Sequence, residues 1–447
     1  MASTYLTRSL SSAGSLTTFT ISAWVKRSNL GASNTLFQAQ ANAGYFRLQF
    51  DTNNKIQILD DNSGVNKTTS QVFRDTSAWY HLVFAFNSTQ STSSLRDRLY
   101  VNGEEVTSWS TNTPSTQTNS YRWQENNQLQ NIGRHGGNSE HYNGLMSHVN
   151  CVDGLQLSAS DFGSTDSTTG EWKINTSPSV TYGTNGFFIL KDGNSVTDQS
   201  GRGNNFTVGG GTLTKTEDNP SNVFATGNRL NVNSGGVGTF QYGNNDITVN
   251  GASGSQFGSS STLGMTTGKF YCEAKIITVD STMIGVSPSP SEDARNDRSP
   301  SGGSSSGAVG CLVETGNKYV SGNGTTYGAA TSANGIMMIA LDLDNLKVYF
   351  GSGGQWSNGS GAWNQSGLTS GAALSLTAVA STAEGAYFFS FGDGGGSATG
   401  RVQWNFGNGY FGTTAVSSAG TNASGNGIFE YDVPTGFTAL STKGLNL

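Results

Sequence analysis

The chain has 447 residues, of which 12% are charged and 10% aromatic, and its formal net charge is −6. This acidic balance, without a dense run of Lys and Arg, excludes a general attraction to nucleic acid phosphates. No window approaches the ~18 apolar residues of a membrane-spanning helix, and the start lacks an apolar signal region, so we expect a soluble product made in a cytoplasm. The aromatic content argues against disorder, and the 61 glycines indicate many turns.

The first segment contains short runs of alternating apolar and polar residues, which are typical of strands. Residues 157–163 allow one helical turn at most, and no useful amphipathic helix interrupts the pattern. Several short strands separated by turns indicate a β-sandwich or barrel. We predict strands over 19–26, 44–50, 55–59, 79–86, 98–101, 105–109 and 144–152.

A hairpin is predicted where residues 79–89 are followed by residues 97–106. Asn102-Gly103 tolerates positive φ at both positions, so a two-residue type I′ turn is expected. Pairing through this turn places Leu99 opposite Val106 and Tyr100 opposite Glu105. The pattern predicts one dry face and one wet face.

A change of composition marks the middle of the chain. Residues 164–186 are rich in Ser and Thr, and the apolar run FFILKD follows at residues 187–192. A flexible linker would not contain such a run. We therefore predict an ordered connector that packs on the first domain.

The final segment again contains short strands. A second hairpin over residues 336–350, turning at Asp344-Asn345, places Leu341 opposite Val348 and Asp342 opposite Lys347. Further strands are predicted over 268–276, 283–288, 387–393 and 402–408.

These patterns predict an all-β protein of two antiparallel β-sandwich (jelly-roll) domains. The first domain covers residues 1–165, the connector covers residues 166–230, and the second domain with its C-terminal tail covers residues 231–447. Because three cysteines without CxxC spacing cannot form a disulfide framework, we predict that Cys151, Cys272 and Cys311 are small buried hydrophobes.

The motifs of both domains resemble known families. FTISAWVKR, the hairpin and GLMSHVNCVDGLQL (residues 144–157) resemble concanavalin A-like, laminin-G-like jelly-roll domains. The resemblance implies that the hairpin lies in the middle of a curved sheet whose concave face can carry a ligand. GKFYCEAKI and IALDLDNLKVYF resemble SPRY-type β-sandwiches, although Gly351-Ser352-Gly353-Gly354 replaces their usual Asn-Gly turn.

The combination also resembles a narrower group. YLTRSLSSAG near the start, DQSGRGNNFTV and DNPSNVFATGNRLN in the middle, and VQWNFGN and YDVPTGFTALST near the end resemble virion proteins of tailed phages, many of them marine. The resemblance implies a virion location, contacts with other virion proteins, and a homo-oligomer, expected to be a trimer. It leaves two functions open: an appendage such as a tail fibre that binds host-surface glycans or a receptor, and a structural adaptor or decoration protein.

We predict no enzymatic activity and no catalytic residues. Glycosidases of the concanavalin A-like superfamily carry paired carboxylates in an E-x-D-x-E pattern, which does not occur here. Glu104 and Glu105 are adjacent and point to opposite faces, and Glu292-Asp293 lie in a Gly/Ser loop.

We also predict no metal and no cofactor. Laminin-G-like domains often hold one calcium ion, for which Asp60-Asp61-Asn62 and Asp192 with Asp198 are the candidates. Turn formation explains Asp and Asn at these positions as well. His81 and His148 lie within predicted strands and are interpreted as structural.

The predicted ligand-binding residues lie in and near one loop. The loop from Arg134 to Asn143, RHGGNSEHYN, offers a guanidinium, two imidazoles and a ring, and Trp123 lies shortly before it. Sugars stack on aromatic rings while polar side chains bind their hydroxyls. The alternative is that these rings seal a subunit interface. The candidate residues are Trp123, Arg134, His135, His141 and Tyr142.

Overall fold

A computed structural model describes residues 3–41, 44–137, 139–191, 193, 195–232, 237–250, 258–288, 307–320, 323–382, 384–393 and 399–446. Asp192, Glu292 and Asp293 lie outside the described residues, as does Asn138 of the candidate loop. The chain divides into two compact units, Met1–Lys215 and Thr216–Leu447. Both consist mainly of antiparallel sheets, as the sequence predicted; the short strand Thr438–Ala439 pairs in parallel with Lys269–Thr278.

The first unit is a sandwich of two sheets. Sheet A has the order β10-β6-β5-β4-β3-β11-β1-β16, and sheet B has the order β15-β12-β2-β7-β8-β9; β13 pairs with β14 separately. The strands are β1 Tyr5–Ser9, β2 Thr18–Arg27, β3 Asn34–Ala41, β4 Gly44–Phe50, β5 Ile56–Asp60, β6 Val65–Thr69, β7 Trp79–Asn87, β8 Asp97–Val101, β9 Glu104–Glu105, β10 Trp109–Thr113, β11 Leu129–Ile132, β12 Gly144–Asp153, β13 Gly163–Thr165, β14 Trp172–Ile174, β15 Phe187–Ile189 and β16 Thr207–Gly210. Short 3₁₀ turns cover Ser93–Leu95, Arg122–Gln124 and Ala159–Asp161.

The core of this unit lies between sheets A and B. Phe19 of β2 packs against Phe46 of β4 with ring centroids 5.7 Å apart, and both belong to one cluster of buried side chains. Cys151 lies in the same cluster. All three cysteines are buried and free, which confirms their predicted role. Alternation along the strands therefore sends one apolar row from each sheet into a shared interior.

The first hairpin forms with the predicted turn and register. Asn102 and Gly103 have φ values of 48° and 89°, and Tyr100 pairs with Glu105. The prediction of a wet face is wrong, because Tyr100 is only 6% exposed. Its side of sheet B packs against residues from the chain that follows β12, including Phe162 and Tyr182.

The hairpin also lies nearer the edge of its sheet than the family resemblance implied. Only the two-residue strand β9 lies beyond β8 in sheet B. The predicted strand 105–109 is divided, because β9 belongs to sheet B and β10 begins at Trp109 in sheet A. The hairpin was expected to carry a ligand on a concave face. Leu99 and Tyr100, on its two sides, are both buried.

The predicted connector is shared between the units. Within residues 166–215, β15 extends sheet B and β16 extends sheet A, so this part is integral to the first unit. Residues 216–230 belong to the second unit, where β17 pairs with β20. The units therefore divide between Lys215 and Thr216, and the predicted limits at residues 165 and 230 do not coincide with a boundary between compact units.

The second unit is also built from two large sheets. Sheet C has the order β17-β20-β31-β22-β23-β24-β25, and sheet D has the order β18-β19-β32-β21-β26-β27-β28-β29, with β30 beside β27 and β35 beside β21; β33 pairs with β34. The strands are β17 Gly227–Val232, β18 Val237–Gln241, β19 Asp246–Asn250, β20 Gly258–Ser261, β21 Lys269–Thr278, β22 Thr282–Ser287, β23 Val309–Leu312, β24 Asn317–Val320, β25 Asn323–Thr325, β26 Ile336–Asp342, β27 Lys347–Ser352, β28 Gln355–Ser357, β29 Trp363–Gln365, β30 Leu374–Ser375, β31 Phe388–Asp393, β32 Arg401–Asn405, β33 Tyr410–Phe411, β34 Thr414–Ala415 and β35 Thr438–Ala439. Short 3₁₀ turns cover Ser370–Ala372, Val379–Ser381 and Gly444–Asn446.

The second hairpin has the predicted register. Leu341 pairs with Val348 and Asp342 with Lys347. Leu341 points into the core between sheets C and D. The opposite face of sheet D is covered by the C-terminal residues 429–439, whose apolar side chains pack on Tyr271, Met338 and Trp356.

A buried carboxylate holds this C-terminal cover in place. Glu273 of β21 is fully buried, and its Oε1 accepts from the Tyr271 hydroxyl at 3.0 Å and from the Tyr431 backbone N–H at 2.8 Å. Its Oε2 accepts from Asn405 Nδ2 at 3.2 Å and from the Glu430 backbone N–H at 2.9 Å. Loss of hydration on burial raises the pKa of Glu273 to about 7, against the opposing effect of these four donors.

This pKa shift predicts a pH-dependent stability of the second unit. A raised pKa means that the folded state binds the proton more tightly than the unfolded state, so stability falls as pH rises from about 4.5 to about 7. The expected fall is of the order of 3 kcal/mol. Denaturant unfolding across this range should show a flatter pH profile for Glu273→Gln, while the exposed control Glu384→Gln should keep the wild-type slope. Equal slopes for wild type and Glu273→Gln would contradict the assignment.

None of the helices in the described part of the chain is long and apolar enough to cross a membrane.

Candidate functional site

The outward side of sheet A is covered with neutral polar side chains. Core residues such as Ile56 and Ile58 alternate along each strand with residues that point outward. Strand pairing aligns the outward residues into rows that cross the sheet. We call this surface the amide face; it consists of Thr35, Gln38, Gln40, Tyr45, Arg47, Gln49, Gln57, Leu59, Asn66, Thr68, Thr111 and Thr113.

The candidate loop lies against one end of the amide face. The Thr35 backbone N–H donates to the Glu140 carbonyl at 2.9 Å, and the Gly136 backbone N–H donates to Gln38 Oε1. A Cβ atom at Gly136 would come within 2.0 Å of Gln40 Oε1, so glycine lets the loop backbone approach this amide without displacing it. The loop from Arg134 to Asn143 therefore forms a wall beside the amide face.

One ion pair joins the loop to the face. Arg47 Nη1 lies 2.8 Å from Glu140 Oε2, and the Arg47 guanidinium lies 5.3 Å from the Tyr45 ring centroid. Loss of hydration and the Arg47 charge lower the pKa of His135, which Glu140 opposes. The imidazole is consequently neutral near pH 7 and can both donate and accept a hydrogen bond. Tyr45 and His135 are both partly exposed.

Two buried polar atoms beneath this surface lack partners among the described residues. Gln49 is 4% exposed, and its Nε2 donates to Gln57 Oε1 at 2.8 Å, but its own Oε1 accepts no hydrogen bond. Arg47 Nε likewise donates none. Burying an unpaired polar atom costs about 1 to 3 kcal/mol, so the face retains unused hydrogen-bonding capacity.

Trp123 does not contribute to this surface. Its side chain is fully buried, in the 3₁₀ turn over Arg122–Gln124, and its ring lies 5.5 Å from Phe46 and 6.1 Å from Phe37. The indole Nε1–H donates to Cys151 Sγ at 3.3 Å. The expectation of an exposed stacking ring is corrected, because this tryptophan fills the space between the two sheets.

Tyr142 is also buried, and two other predicted residues gather around Tyr5. The Tyr142 hydroxyl donates to the Lys26 carbonyl at 2.7 Å, which makes its ring part of the core. The Arg134 guanidinium lies 3.6 Å above the Tyr5 ring, and the His141 ring lies 6.0 Å from it. The structure therefore divides the predicted set: two residues lie in the core, two lie beside Tyr5, and His135 lies near the amide face.

Sequence reasoning missed the residues of β4 and β5. Tyr45, Arg47 and Gln49 are the outward members of GYFRLQF, and Gln57 and Leu59 are those of the following strand. Alternation alone identifies them as outward-facing. Alternation gives no reason to choose this face over the outward face of sheet B. The sequence does not show which of the two faces is covered by the chain that follows.

The calcium candidates are occupied by protein donors. Asp60 Oδ1 accepts from the backbone N–H groups of Asn62 and Ser63, and Oδ2 accepts from the Arg122 N–H. Asp198 receives four hydrogen bonds, three from Ser200 and Asn204 in its own turn and one from the Phe188 backbone N–H of β15. Among the described residues, no group of three or more His, Cys, Asp and Glu side chains could hold a metal ion.

One serine and histidine pair has the spacing of a nucleophile and its base. Ser22 Oγ lies 2.9 Å from His81 Nε2, but the Trp172 indole N–H donates to His81 Nδ1 at 2.9 Å. Burial lowers the pKa of His81 to about 3, and its ring is stacked between those of Trp24 and Trp172. His81 is a structural residue, as predicted.

Replacement of Trp123 should therefore act on stability. Trp123→Ala removes a fully buried indole and should lower the free energy of unfolding of the first unit by about 3 to 5 kcal/mol. Urea denaturation measures this loss, and Arg134→Ala at the surface serves as the comparison. A loss below about 1 kcal/mol, accompanied by weaker ligand binding, would contradict the burial argument.

Comparison with known proteins agrees with the architecture of the first unit. A family model described as the concanavalin A-like lectin/glucanases superfamily matches residues 2–161. No curated protein sequence matches the chain.

Solved structures with similar parts share little sequence with the chain. The SPRY domain of human HERC1 is 16% identical, with a TM-score of 0.26 and coverage of 36% of this chain and 87% of that domain. A heptameric SAP-like pentraxin from Limulus polyphemus is 14% identical, with a TM-score of 0.27 and coverage of 35% and 71%. Domain 4 of AbnA, an extracellular arabinanase from Geobacillus stearothermophilus solved with arabinotriose, is 19% identical, with a TM-score of 0.26 and coverage of 34% and 67%.

Proposed function

We propose that this chain is a non-catalytic virion protein of a tailed phage that binds glycans on the host surface through the amide face and its loop. The observation that carries the binding proposal is the partly exposed polar surface around Tyr45, Arg47 and His135, bounded by the loop at Glu140. Amides, an imidazole and a tyrosine ring are the groups that hold sugar hydroxyls and sugar faces.

The absence of catalysis is proposed from the chemistry of the same surface. A glycosidase needs two carboxylates that flank one bond, about 5 to 10 Å apart. Among the described residues of the amide face and loop, Glu140 is the only carboxylate, and Arg47 holds it at 2.8 Å. The surface is suited to hold a glycan without cleaving it.

The virion assignment is supported by the sequence motifs that resemble tailed-phage proteins. They occur in order along both units, from YLTRSLSSAG in the first to YDVPTGFTALST at the end of the second. The proposed partners are other virion proteins and a host glycan or receptor, without nucleic acid, metal or cofactor.

A structural adaptor or decoration protein is the second candidate. The described residues include exposed apolar side chains such as Leu230, 57% exposed, and Val208, 43% exposed, which subunit contacts would cover. In that case neighbouring virion proteins would cover the amide face and no glycan would reach it.

The binding proposal predicts the effect of changing Tyr45 and His135. Each replacement by Ala should weaken binding to host-surface polysaccharide by roughly 1 to 3 kcal/mol, because stacking or hydrogen-bonding groups are lost. Binding is measured by titration of purified host polysaccharide and by cell adsorption. Tyr319→Ala, which changes a partly exposed tyrosine of the second unit, should bind as wild type.

The same titration tests the alternatives. Unchanged adsorption by the Tyr45→Ala, His135→Ala double variant would favour the adaptor function. Release of reducing ends that disappears on replacement of one Asp or Glu would show that the protein is an enzyme.

A homo-oligomer is also proposed, with a trimer as the expected state, because phage appendages that this chain resembles usually associate in this way. Closed symmetric assembly is the common means of covering exposed apolar residues. Light scattering at micromolar concentration should give a multiple of the 46.8 kDa chain mass. A monomer mass would contradict the proposal.

A further inference from the structure

We infer that the β13–β14 hairpin is a flap that closes over sheet B at neutral pH and opens in acid, when His81 binds a proton and loses its hydrogen bond from Trp172. We call residues 163–174 the flap; they include β13 and β14. The flap lies on the covered outward side of sheet B, so its opening is separate from ligand binding at the amide face.

The flap is held to sheet B by few bonds. Its two strands pair with each other, with Gly163 opposite Ile174 and Thr165 opposite Trp172, and neither strand joins sheet A or sheet B. Among the described residues, the bond from the Trp172 indole N–H to His81 Nδ1, at 2.9 Å, is the one hydrogen bond between the flap and sheet B. The flap can therefore lift without breaking a strand pair of the sandwich.

The indole determines which nitrogen of His81 carries the proton. An indole N–H donates and has no acceptor, so His81 Nδ1 must be unprotonated and accept from Trp172. The ring proton then lies on Nε2, which donates to Ser22 Oγ at 2.9 Å. Both nitrogens have a partner as long as the imidazole is neutral.

A second proton removes this fit. The imidazolium carries an N–H on both nitrogens, so Nδ1–H faces the indole N–H of Trp172 and two donors meet. The bond from Nε2 to Ser22 Oγ is unaffected. Protonation of His81 therefore breaks the contact with the flap and leaves the contact within sheet B.

Burial of the ring opposes the same proton. His81 is 1% exposed, its ring lies 4.8 Å from that of Trp24, and loss of hydration lowers its pKa from 6.5 to about 3. Burial alone accounts for this shift, although charged or titratable groups lie on the elements packed around the ring. They are Lys26 of β2, Tyr100 and the paired Arg98 and Glu105 of the hairpin, His148 of β12, Asp161, and Glu171 with the paired Asp166 and Lys173 of the flap.

The direction of the pH effect follows from this pKa. The closed flap binds the His81 proton less tightly than the open flap, where water surrounds the ring, so closure is fully stable above pH 6.5. Closure loses stability as the pH falls from 6.5 towards 3. Each pH unit in this range raises the opening equilibrium by about tenfold, which gives about a hundredfold between pH ~7.5 and pH ~4.5.

Opening changes the surface of sheet B. In the closed flap Trp24 and Tyr100 are 5% and 6% exposed. Tyr100 belongs to the apolar cluster on which Trp172 packs, and Trp24 lies against His81. Departure of Trp172 brings water to these rings, so acid converts a sealed face of the first unit into an aromatic one.

Hydrogen exchange of the full chain, followed by mass spectrometry, measures the opening. Rates are corrected for the pH dependence of chemical exchange, and peptides from the flap are compared with peptides from β2 and β7. We expect protection of the flap to fall about a hundredfold from pH ~7.5 to pH ~4.5, while protection of β2 and β7 stays within about threefold.

His81→Asn tests the role of the histidine. The asparagine side-chain oxygen takes the position of Nδ1 and accepts from Trp172 without titrating, so the flap should open to the same extent at both pH values. His148→Asn is the matched control, because His148 is a partly exposed histidine of β12 whose positive φ asparagine tolerates, and it should keep the wild-type pH dependence. Independently of either variant, nitrogen NMR of the wild-type imidazoles should show His81 protonated on Nε2 at pH ~7.5.

Three results of the exchange experiment would overturn the inference: flap protection that does not change with pH, an equal loss of protection in β2 and β7, or a wild-type pH profile in His81→Asn. A His81 ring protonated on Nδ1 at neutral pH would also overturn it, since the indole would then have no acceptor. None of these results bears on glycan binding, which Tyr45→Ala and His135→Ala test at the amide face.

Discussion

Apolar packing covers the outward side of sheet B, and it therefore determines which sheet face of the first unit is open to a ligand. A sandwich has two outward faces, and an antiparallel sheet tolerates water on one of them. Trp172 seals sheet B at the hairpin turn, where its ring packs so closely that a Cβ on Gly103 would lie 2.4 Å from it. Phe162 and Tyr182 continue this covering layer. The outward side of sheet A carries polar side chains instead, and these form a surface that can make hydrogen bonds.

The polar motif in the middle of the chain has a structural role. In DQSGRGNNF, the Asp198 carboxylate accepts from two backbone N–H groups of its own turn and from the Phe188 N–H of β15. Asn204 Nδ2 donates to the carbonyls of Thr184 and Gly186 at 2.9 and 2.7 Å. These bonds position Phe206 against Phe187, with ring centroids 4.8 Å apart. The motif thus closes the core of the first unit, and its polar residues serve the fold without forming a ligand site.

Local alternation was sufficient to predict the two hairpins, because a turn and a period of two fix both the register and the facing of each residue. Trp123 shows the limit of such reasoning. Its neighbours in SYRWQENN are polar and its turn has no strand period, so nothing local distinguishes a surface ring from a core ring. Burial of Trp123 results from Phe37 and Phe46, which are distant in sequence. Similarly, Tyr45 and Gln57 were predictable as outward-facing residues. That their face is the open one depends on the covering of the other sheet by residues about 100 to 140 positions further along the chain.

The composition of the amide face supports the proposed sugar ligand over a protein partner. The centre of a stable protein interface is depleted of charged groups and rich in apolar and aromatic area. Here Leu59 and Tyr45 are the apolar contributions among the described side chains, and amides and hydroxyls surround them. Covering this face with another subunit would require a partner for each amide, because a buried polar group without a hydrogen bond is costly. A glycan meets this requirement with hydroxyls along its whole length, so the same polarity that weakens a subunit interface becomes an advantage for sugar binding.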